Sequence, residues 1–217
     1  MSYRAVIFDL DGTLLDTLED LKDAVNYALT QYKKPQRTRD EICQFVGNGI
    51  AKLIERAVPE GTTVVERENI LAAFRTYYSE HCKDKTAPYD GIREVLISLK
   101  ENNIKMAVVS NKADFAVQEL IPIYFGDYIS VAKGENEIAG IKKKPNPDMV
   151  YAAMEELGCT PEETVYVGDS DVDLATAKNS GLPCIGCGWG FRGRSFLEKN
   201  GADMIADSPK EILNFVY

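Results

Sequence analysis

Short apolar runs alternate along the chain with longer stretches in which apolar residues recur every three or four positions. The first run, Ala5-Val-Ile-Phe8, is rich in β-branched and aromatic residues and leads into Asp9-Leu-Asp11-Gly-Thr13. Such a run, closed by a Gly-Thr turn, predicts a buried strand with Asp9 and Asp11 at its end. The other predicted strands are 105–110, 128–131, 164–168, 183–185 and 204–206.

The stretches with helical spacing fall into two groups. Between residues 16 and 83 no segment alternates as a strand, and this region is predicted to be a helical bundle with helices at 18–32, 39–45, 50–58 and 66–82. After residue 91 helices alternate with strands, at 92–100, 114–124, 148–157 and 171–180. Repeated strand and helix units predict an α/β core, a parallel sheet with helices on both faces. We therefore expect a core of residues 1–15 and 84–217, with 16–83 inserted.

Composition limits the partners that such a fold would have. The chain has 217 residues, 45% of them hydrophobic, and a net charge of −9. The acidic balance and the lack of a long basic block argue against nucleic acid as a partner. No apolar stretch approaches the roughly 20 residues that span a bilayer, and the first residues lack a signal-peptide pattern. We expect a cytoplasmic protein without a membrane partner, which must capture any anionic ligand through a metal, a lysine or helix N-termini.

Cysteine and histidine offer little chemistry. The five cysteines are odd in number and scattered, which predicts reduced thiols. Cys184 and Cys187 have metal or redox spacing, but no second pair or nearby histidine completes a zinc site. The single histidine, His81, is expected at the surface. No cysteine precedes an arginine at phosphatase-loop spacing and no P-loop motif is present. Chemistry based on carboxylates is the main remaining option.

Three further polar clusters follow predicted strands. They are Ser110-Asn111, Lys144-Pro145 and Asp169-Ser170-Asp171-Val172-Asp173. Because parallel strands end at one edge of a sheet, these groups can meet Asp9 and Asp11 there. Each cluster alone could be a helix cap, a solvated basic run or a turn. Their joint occurrence predicts a site built on carboxylates, a hydroxyl and a lysine.

These four clusters resemble the four motifs of the haloacid-dehalogenase superfamily of phosphotransferases. The resemblance implies a Rossmann-like core, and the helical insertion is similar to the small helical cap of that family. Two finer features, Gly47-Asn48-Gly49 in the insertion and Trp189-Gly-Phe-Arg192, resemble phosphoglycolate phosphatase-like members. The resemblance covers the whole chain. It implies a phosphatase acting on a small phosphorylated metabolite, with 2-phosphoglycolate as the first candidate, as a monomer or homodimer.

The family pattern also implies roles for individual residues. Asp9 would attack phosphorus as the nucleophile and form an aspartyl-phosphate, and Asp11 would act as general acid and then base. Mg²⁺ would be held by the side chains of Asp9 and Asp169 and by the backbone carbonyl of Asp11. The remaining implied roles are phosphate binding by Lys144, Ser110 and, more weakly, Asn111, and orientation of water or Lys144 by Asp173.

Several alternatives stay open at this point. Substrate choice would depend on the cap, where Asn48 with Lys52 or Arg56 could contact the leaving group or could equally be solvated. Within the same superfamily, a sugar phosphomutase or a pyrophosphatase has similar motifs. A receiver-like phosphoacceptor module shares the acidic cluster, hydroxyl and lysine. Dinucleotide binding has a formal claim, because Gly188-Trp-Gly190-Phe-Arg-Gly193 matches G-x-G-x-x-G, with Asp207 near the spacing of a ribose-binding acid.

Overall fold

A computed structural model describes residues 3–136 and 140–217 and divides the chain into two compact units. The larger unit comprises the chain up to Leu15 together with Pro88–Tyr217, and the smaller unit is Asp16–Ala87. The sequence places the second boundary at 83/84, four residues earlier. Two short strands, β2 (Leu15–Asp16) and β3 (Ala87–Pro88), pair where the chain passes from one unit to the other.

The larger unit contains a six-stranded parallel sheet. In chain order its strands are β1 (Ala5–Phe8), β4 (Lys105–Ala113), β5 (Val131–Glu135), β6 (Thr164–Gly168), β7 (Cys184–Cys187) and β8 (Met204–Ala206). The spatial order is β5-β4-β1-β6-β7-β8. Phe8, the last residue of β1, is level with Val108 of β4 and Val167 of β6. The residues that follow these three positions are therefore brought to the same edge of the sheet.

Helices pack against this sheet. They are α5 (Ile92–Glu101), α6 (Asp114–Phe125), α7 (Asp148–Leu157), α8 (Asp171–Ser180), α9 (Arg194–Lys199) and α10 (Ile212–Val216). Successive side chains of a strand point to opposite faces, and all four residues of β1 are fully buried, so both faces of the sheet are covered. On one face Ile7, Val109, Met149 and Ala177 form a single apolar cluster. The predicted parallel α/β core is confirmed.

The predicted strand at 128–131 is misplaced. The backbone N–H groups of Tyr128 and Ile129 both donate to the carbonyl of Phe125, which closes a turn after α6. The strand β5 therefore starts only at Val131. Two other strands were predicted too short, since β7 continues to Cys187 and β4 continues past Ser110 to Ala113, where it pairs with Glu135 after an irregular step.

The smaller unit is helical, as its apolar spacing predicts. Its helices are α1 (Leu18–Gln31), α2 (Arg39–Phe45), α3 (Ile50–Ala57) and α4 (Val64–His81). Helices α1 and α4 pack together, and Ile70, Phe74 and Tyr78 of α4 are fully buried. Asp20 of α1 is buried and accepts hydrogen bonds from the backbone N–H groups of Lys85 and Thr86. Within the described residues, no helix of either unit is long and apolar enough to cross a membrane.

Candidate active site

Asp9 lies directly after β1, in the buried interior of the larger unit. Its backbone N–H donates to the carbonyl of Val167 on the neighbouring strand, at 2.8 Å, which fixes the point where the chain leaves the sheet. Its Oδ1 lies 2.8 Å from Nζ of Lys144. Burial and, next, the carboxylate of Asp173 raise the pKa of Asp9 to about 6, against the opposing effect of Lys144. The Asp9 carboxylate is thus more basic than an ordinary aspartate and lies beside the buried ammonium of Lys144.

Lys144 is the cation around which this site is organised. Its backbone N–H donates to Oδ1 of Asn111 at 2.7 Å, and its carbonyl accepts from Nδ2 of the same amide at 3.1 Å. Its Nζ donates to Oδ1 of Asp173 at 2.7 Å and to the hydroxyl of Tyr166 at 3.0 Å. Burial would lower the pKa of this ammonium, but the carboxylates of Asp173 and Asp9 outweigh burial and raise it. Lys144 is therefore held charged.

The N-terminus of α8 supplies two further carboxylates. Ser170 caps the helix, and its Oγ and backbone N–H both donate to Oδ2 of Asp173, at 2.6 and 3.1 Å. Asp169 precedes the cap and is buried, and burial, with the carboxylates of Asp173 and Asp9, raises its pKa. One oxygen from each of Asp9, Asp169 and Asp173 lies within 4.8 Å of the other two. Three acids thus share one small volume.

A glycine-rich loop between β7 and α9 packs against Asp169. The backbone N–H of Phe191 donates to Oδ2 of Asp169 at 2.7 Å, and the indole N–H of Trp189 donates to the carbonyl of Thr13 at 3.1 Å. A Cβ at Gly190 would overlap Asp169 and lie 2.6 Å from the carbonyl oxygen of Gly12. The glycine-rich loop whose spacing matches a dinucleotide motif here packs against the chain's own acidic cluster. Its contact with Asp169 has no signal in the sequence beyond the Gly-rich pattern.

These residues fit a divalent cation. Three buried carboxyl groups face one ammonium, and burial with their mutual repulsion raises the pKa values of Asp9 and Asp169, so a bound cation would stabilise their charged forms. Hard oxygen donors of this kind are the ligands that Mg²⁺ prefers. Gly12 and Gly190 have no side chains, and a Cβ at either position would overlap the Asp169 carboxylate. The two glycines therefore leave the space that this carboxylate occupies. Asp9 and Asp169 belong to this set, and Asp173, the third carboxylate of the cluster, already accepts hydrogen bonds from Lys144 and Ser170.

Asp11 and Ser110 both contact Lys112 of β4. Nζ of Lys112 lies 3.0 Å from Oδ1 and 3.3 Å from Oδ2 of Asp11. The backbone N–H of Lys112 donates to Oγ of Ser110 at 3.3 Å. The sequence analysis missed Lys112 and Tyr166. The only signal for Lys112 is its position two residues after Ser110 on the same strand.

Several predicted site residues have partners within the protein, and their expected roles stay predictions. The Asn111 amide clasps the backbone of Lys144, so in this structure it positions the lysine. In the smaller unit Asn48 is half-buried, Lys52 donates to Glu55 at 2.6 Å, and Arg56 donates to the carbonyl of Phe45 at 2.7 Å. Both cap cations are therefore engaged within their own unit. Their role in substrate choice stays a prediction.

The remaining reactive residues lie outside the acidic cluster. All five cysteines are free thiols, as expected. Cys187 is buried, and burial raises the pKa of its thiol and of that of Cys184. His81 is partly exposed, lies 2.7 Å from Asp84 and stacks on Tyr77. Neither the thiols nor the histidine joins the carboxylates, which leaves the acidic cluster as the candidate site.

Comparison with known families gives the class of protein. Residues 6–187 match the family model described as haloacid dehalogenase-like hydrolase. The chain belongs to this family of hydrolases, which confirms the resemblance of its four motifs, and within the family it is a phosphatase.

The names of individual relatives are more specific than the family description. Phosphoglycolate phosphatases of Pseudomonas putida and Colwellia psychrerythraea are each 30% identical to this chain, matching 97% of it and 78% and 95% of their own lengths. A crystal structure of a proposed phosphoglycolate phosphatase from Lactobacillus delbrueckii subsp. bulgaricus superposes with a TM-score of 0.94 at 36% identity, covering 100% of this chain and 99% of that one. The likeness extends over both units.

Proposed function

We propose that this phosphatase is Mg²⁺-dependent and hydrolyses a small phosphate monoester, preferring 2-phosphoglycolate, through an aspartyl-phosphate on Asp9. The observation that carries the proposal is the Asp9 carboxylate held 2.8 Å from Lys144 and next to two other buried acids, Asp169 and Asp173. A nucleophile beside a fixed cation is what attack on an anionic phosphoryl group needs. The names of the relatives in Pseudomonas putida and Colwellia psychrerythraea support the substrate.

The reaction divides into two displacements at phosphorus. In the first, an oxygen of Asp9 bonds to phosphorus, the bond to the ester oxygen breaks, and Asp11 gives its proton to the departing alkoxide. In the second, water loses a proton to Asp11 and attacks the same phosphorus. The bond to Asp9 then breaks, inorganic phosphate leaves and both carboxyl groups return to their starting states. Covalent catalysis of this kind replaces one difficult step with two easier ones.

The remaining residues hold charge in place during both steps. Lys144 orients Asp9 and stabilises negative charge next to phosphorus, and the Ser110 hydroxyl can donate to a phosphoryl oxygen. Asp9 and Asp169, with the Asp11 carbonyl, would hold Mg²⁺, and Asp173 would keep Lys144 in position. The bound ion would neutralise charge between the nucleophile and the phosphoryl group.

The test is phosphate release from 2-phosphoglycolate, pyrophosphate, sugar phosphates and an aryl phosphate, with Mg²⁺ or with EDTA. We expect metal-dependent turnover, fastest on 2-phosphoglycolate. Asp9→Asn should retain less than about one thousandth of wild-type kcat, because the amide cannot act as nucleophile. Asp203→Asn is the matched control, since Asp203 is exposed on the same unit.

The outcomes separate the alternatives. Faster interconversion of isomeric sugar phosphates than release of free phosphate would identify a mutase, and fastest turnover of pyrophosphate would identify a pyrophosphatase. Trapping of phosphate on Asp9 without turnover would indicate a phosphoacceptor module. Activity in Asp9→Asn equal to wild type would contradict the proposed nucleophile.

A further inference from the structure

The turn that carries the proposed acid and base, residues 11–13, is held from outside by Trp189. This residue lies in the loop between β7 and α9, and its indole N–H donates to the carbonyl of Thr13 at 3.1 Å. Thr13 is fully buried, so its carbonyl depends on donors of the protein because water does not reach it. Loss of the indole N–H would therefore cost this carbonyl a partner that water cannot replace.

The two carboxylates of the segment are anchored in different ways. Asp9 is fixed to the sheet, because its backbone N–H donates to the carbonyl of Val167 at 2.8 Å. The chain then bends at Gly12, which has a φ of +86°. Asp11 thus lies between the anchor of Asp9 in the sheet and the hydrogen bond from Trp189. The bond from Trp189 acts on the turn that carries the acid and base, and the nucleophile has its own support.

The same loop also contacts the proposed metal site. Two residues after Trp189, the backbone N–H of Phe191 donates to Oδ2 of Asp169 at 2.7 Å. Between them, Gly190 lies so close to the turn that a Cβ there would be 2.6 Å from the carbonyl oxygen of Gly12. One short loop therefore holds both the turn and the buried carboxylate beside it, and fixes the distance between them.

We propose that Trp189 is a positioning residue for the acid step: its indole N–H holds the turn of residues 11–13 so that the Asp11 carboxyl meets the ester oxygen of the leaving group. This inference rests on the proposed phosphatase function and deepens it. Trp189 acts through the backbone of Thr13 and takes no part in the bond changes. Misplacing a catalytic group by about 1 Å can lower a rate about 100-fold, so one hydrogen bond to the backbone is enough to matter.

The leaving group decides how much the first displacement needs Asp11. An alkoxide is strongly basic and departs as it receives a proton, whereas 4-nitrophenolate is weakly basic and departs without one. The value of kcat/KM reports the steps up to the departure of this group. A misplaced Asp11 therefore lowers kcat/KM for an alkyl phosphate much more than for 4-nitrophenyl phosphate. A displaced nucleophile, or a smaller fraction of folded enzyme, lowers both values alike.

The test measures the ratio of kcat/KM for the fastest alkyl phosphate of the panel to kcat/KM for 4-nitrophenyl phosphate, at saturating Mg²⁺. Trp189→Phe keeps an aromatic ring and removes the N–H. We expect the ratio to fall about 10- to 100-fold, as for partial loss of a general acid. Asp11→Asn sets the scale, because it removes the acid altogether and should lower the ratio further.

A second replacement separates the hydrogen bond from the ring. Trp189 is the only tryptophan of the chain, so exchanging it for 3-benzothienylalanine replaces one N–H by a sulfur atom in a ring of the same shape. The ratio should fall as in Trp189→Phe, and this protein serves if Trp189→Phe does not fold. Phe196→Leu is the matched control, since it alters a half-buried ring of α9, after the same loop, and should leave the ratio as in wild type. Thermal melting checks that each protein is folded.

The failure of this inference differs from the failure of the proposed function. A wild-type ratio in the benzothienylalanine protein overturns the role of the indole N–H, even if Trp189→Phe is slow, and leaves the phosphatase intact. Equal losses on both substrates do the same, because they show that Trp189 supports the fold and not the acid step. No metal-dependent release of phosphate from either substrate by wild type overturns the proposed function, and the inference with it.

Discussion

A single ammonium, that of Lys144, connects most of the candidate site. Three oxygens lie within 3.0 Å of its Nζ, one each from Asp9, Asp173 and Tyr166. Placing a lysine between two carboxylates compensates charges that burial alone would make unfavourable. The Tyr166 hydroxyl completes the arrangement by donating to the carbonyl of Val109 at 3.2 Å. Because the Tyr166 hydroxyl contacts the same ammonium that lies beside Asp9, we expect it to help position the nucleophile.

The Tyr166→Phe variant tests this dependence. Loss of the hydroxyl removes the hydrogen bond that it accepts from Nζ of Lys144 and the one that it donates to the carbonyl of Val109. We expect kcat to fall by roughly tenfold with little change in KM, as for other residues that orient a catalytic group. Unfolding in urea should show a loss of about 1–3 kcal/mol.

Tyr151→Phe is the matched control for this prediction. The Tyr151 hydroxyl donates to the carbonyl of Asn179 at 3.2 Å in an exposed position. Its removal should change neither kcat nor the free energy of unfolding measurably. A Tyr166→Phe enzyme with wild-type kcat would show that Lys144 is held well enough by its carboxylates alone.

At the scale of elements, the site depends on where strands end and on what the next loop does. The segments that follow β1 and β6 supply Asp9 and Asp169, and the loop after β7 closes over Asp169 through Gly190 and Phe191. The loop can come this close only because Gly190 has no side chain. The backbone of Gly190 and Phe191 thus forms one wall of the proposed metal site.

The Gly190→Ala variant tests that wall. The added Cβ would lie 2.6 Å from the carbonyl oxygen of Gly12 and overlap Asp169, so either the loop or the carboxylate must shift. We expect the Mg²⁺ concentration for half-maximal activity to rise by about 10-fold or more, as when a group that orients a metal ligand is lost.

The control here is Gly201→Ala, where a Cβ meets no atom within 4 Å but the backbone has a φ of +84°. That variant should lose about 1 kcal/mol of stability and keep its Mg²⁺ response. Equal Mg²⁺ responses in the two variants would place the metal away from Asp169.

Much of this arrangement could be predicted from the sequence, because the signals are local. Asp9 and Asp169 each follow a buried apolar run, and parallel topology then brings them to one edge. Lys112 could not be found in this way, since a lysine inside a strand is usually solvated and its partner Asp11 is 101 residues away. The prediction for the start of β5 was wrong for a different, local reason: the backbone N–H of Tyr128 donates to the carbonyl of Phe125, which places Tyr128 in a turn despite its strand-like neighbours.

At the scale of the whole molecule, the chain divides into two units, each with its own apolar core. One fully buried cysteine lies in each core, Cys82 in the smaller unit and Cys187 in the larger. Burial raises the pKa of the Cys187 thiol, which keeps it protonated and unreactive. The two thiols can therefore report separately on the opening of the two units.

Alkylation in increasing urea tests this independence. Without denaturant at pH 8, Cys43 and Cys159, which are only half-buried, should react first, and Cys82 and Cys187 should be modified at least about 100-fold more slowly. Mass spectrometry of peptides measures each site. If the units unfold separately, Cys82 and Cys187 become reactive at different urea concentrations. Rapid reaction of Cys187 in native protein would contradict the packing described for β7.

The hydrogen bond from Trp189 to the Thr13 carbonyl has one more consequence. Trp189 is the only tryptophan in the chain, and its indole N–H is tied to the same loop that carries Asp9 and Asp11. Ultraviolet emission excited at the red edge of protein absorption therefore comes from a single chromophore beside the acidic cluster. Trp189 fluorescence should therefore change when a cation or a phosphorylated ligand binds at the acidic cluster. Binding could then be followed in real time without a dye or an engineered residue.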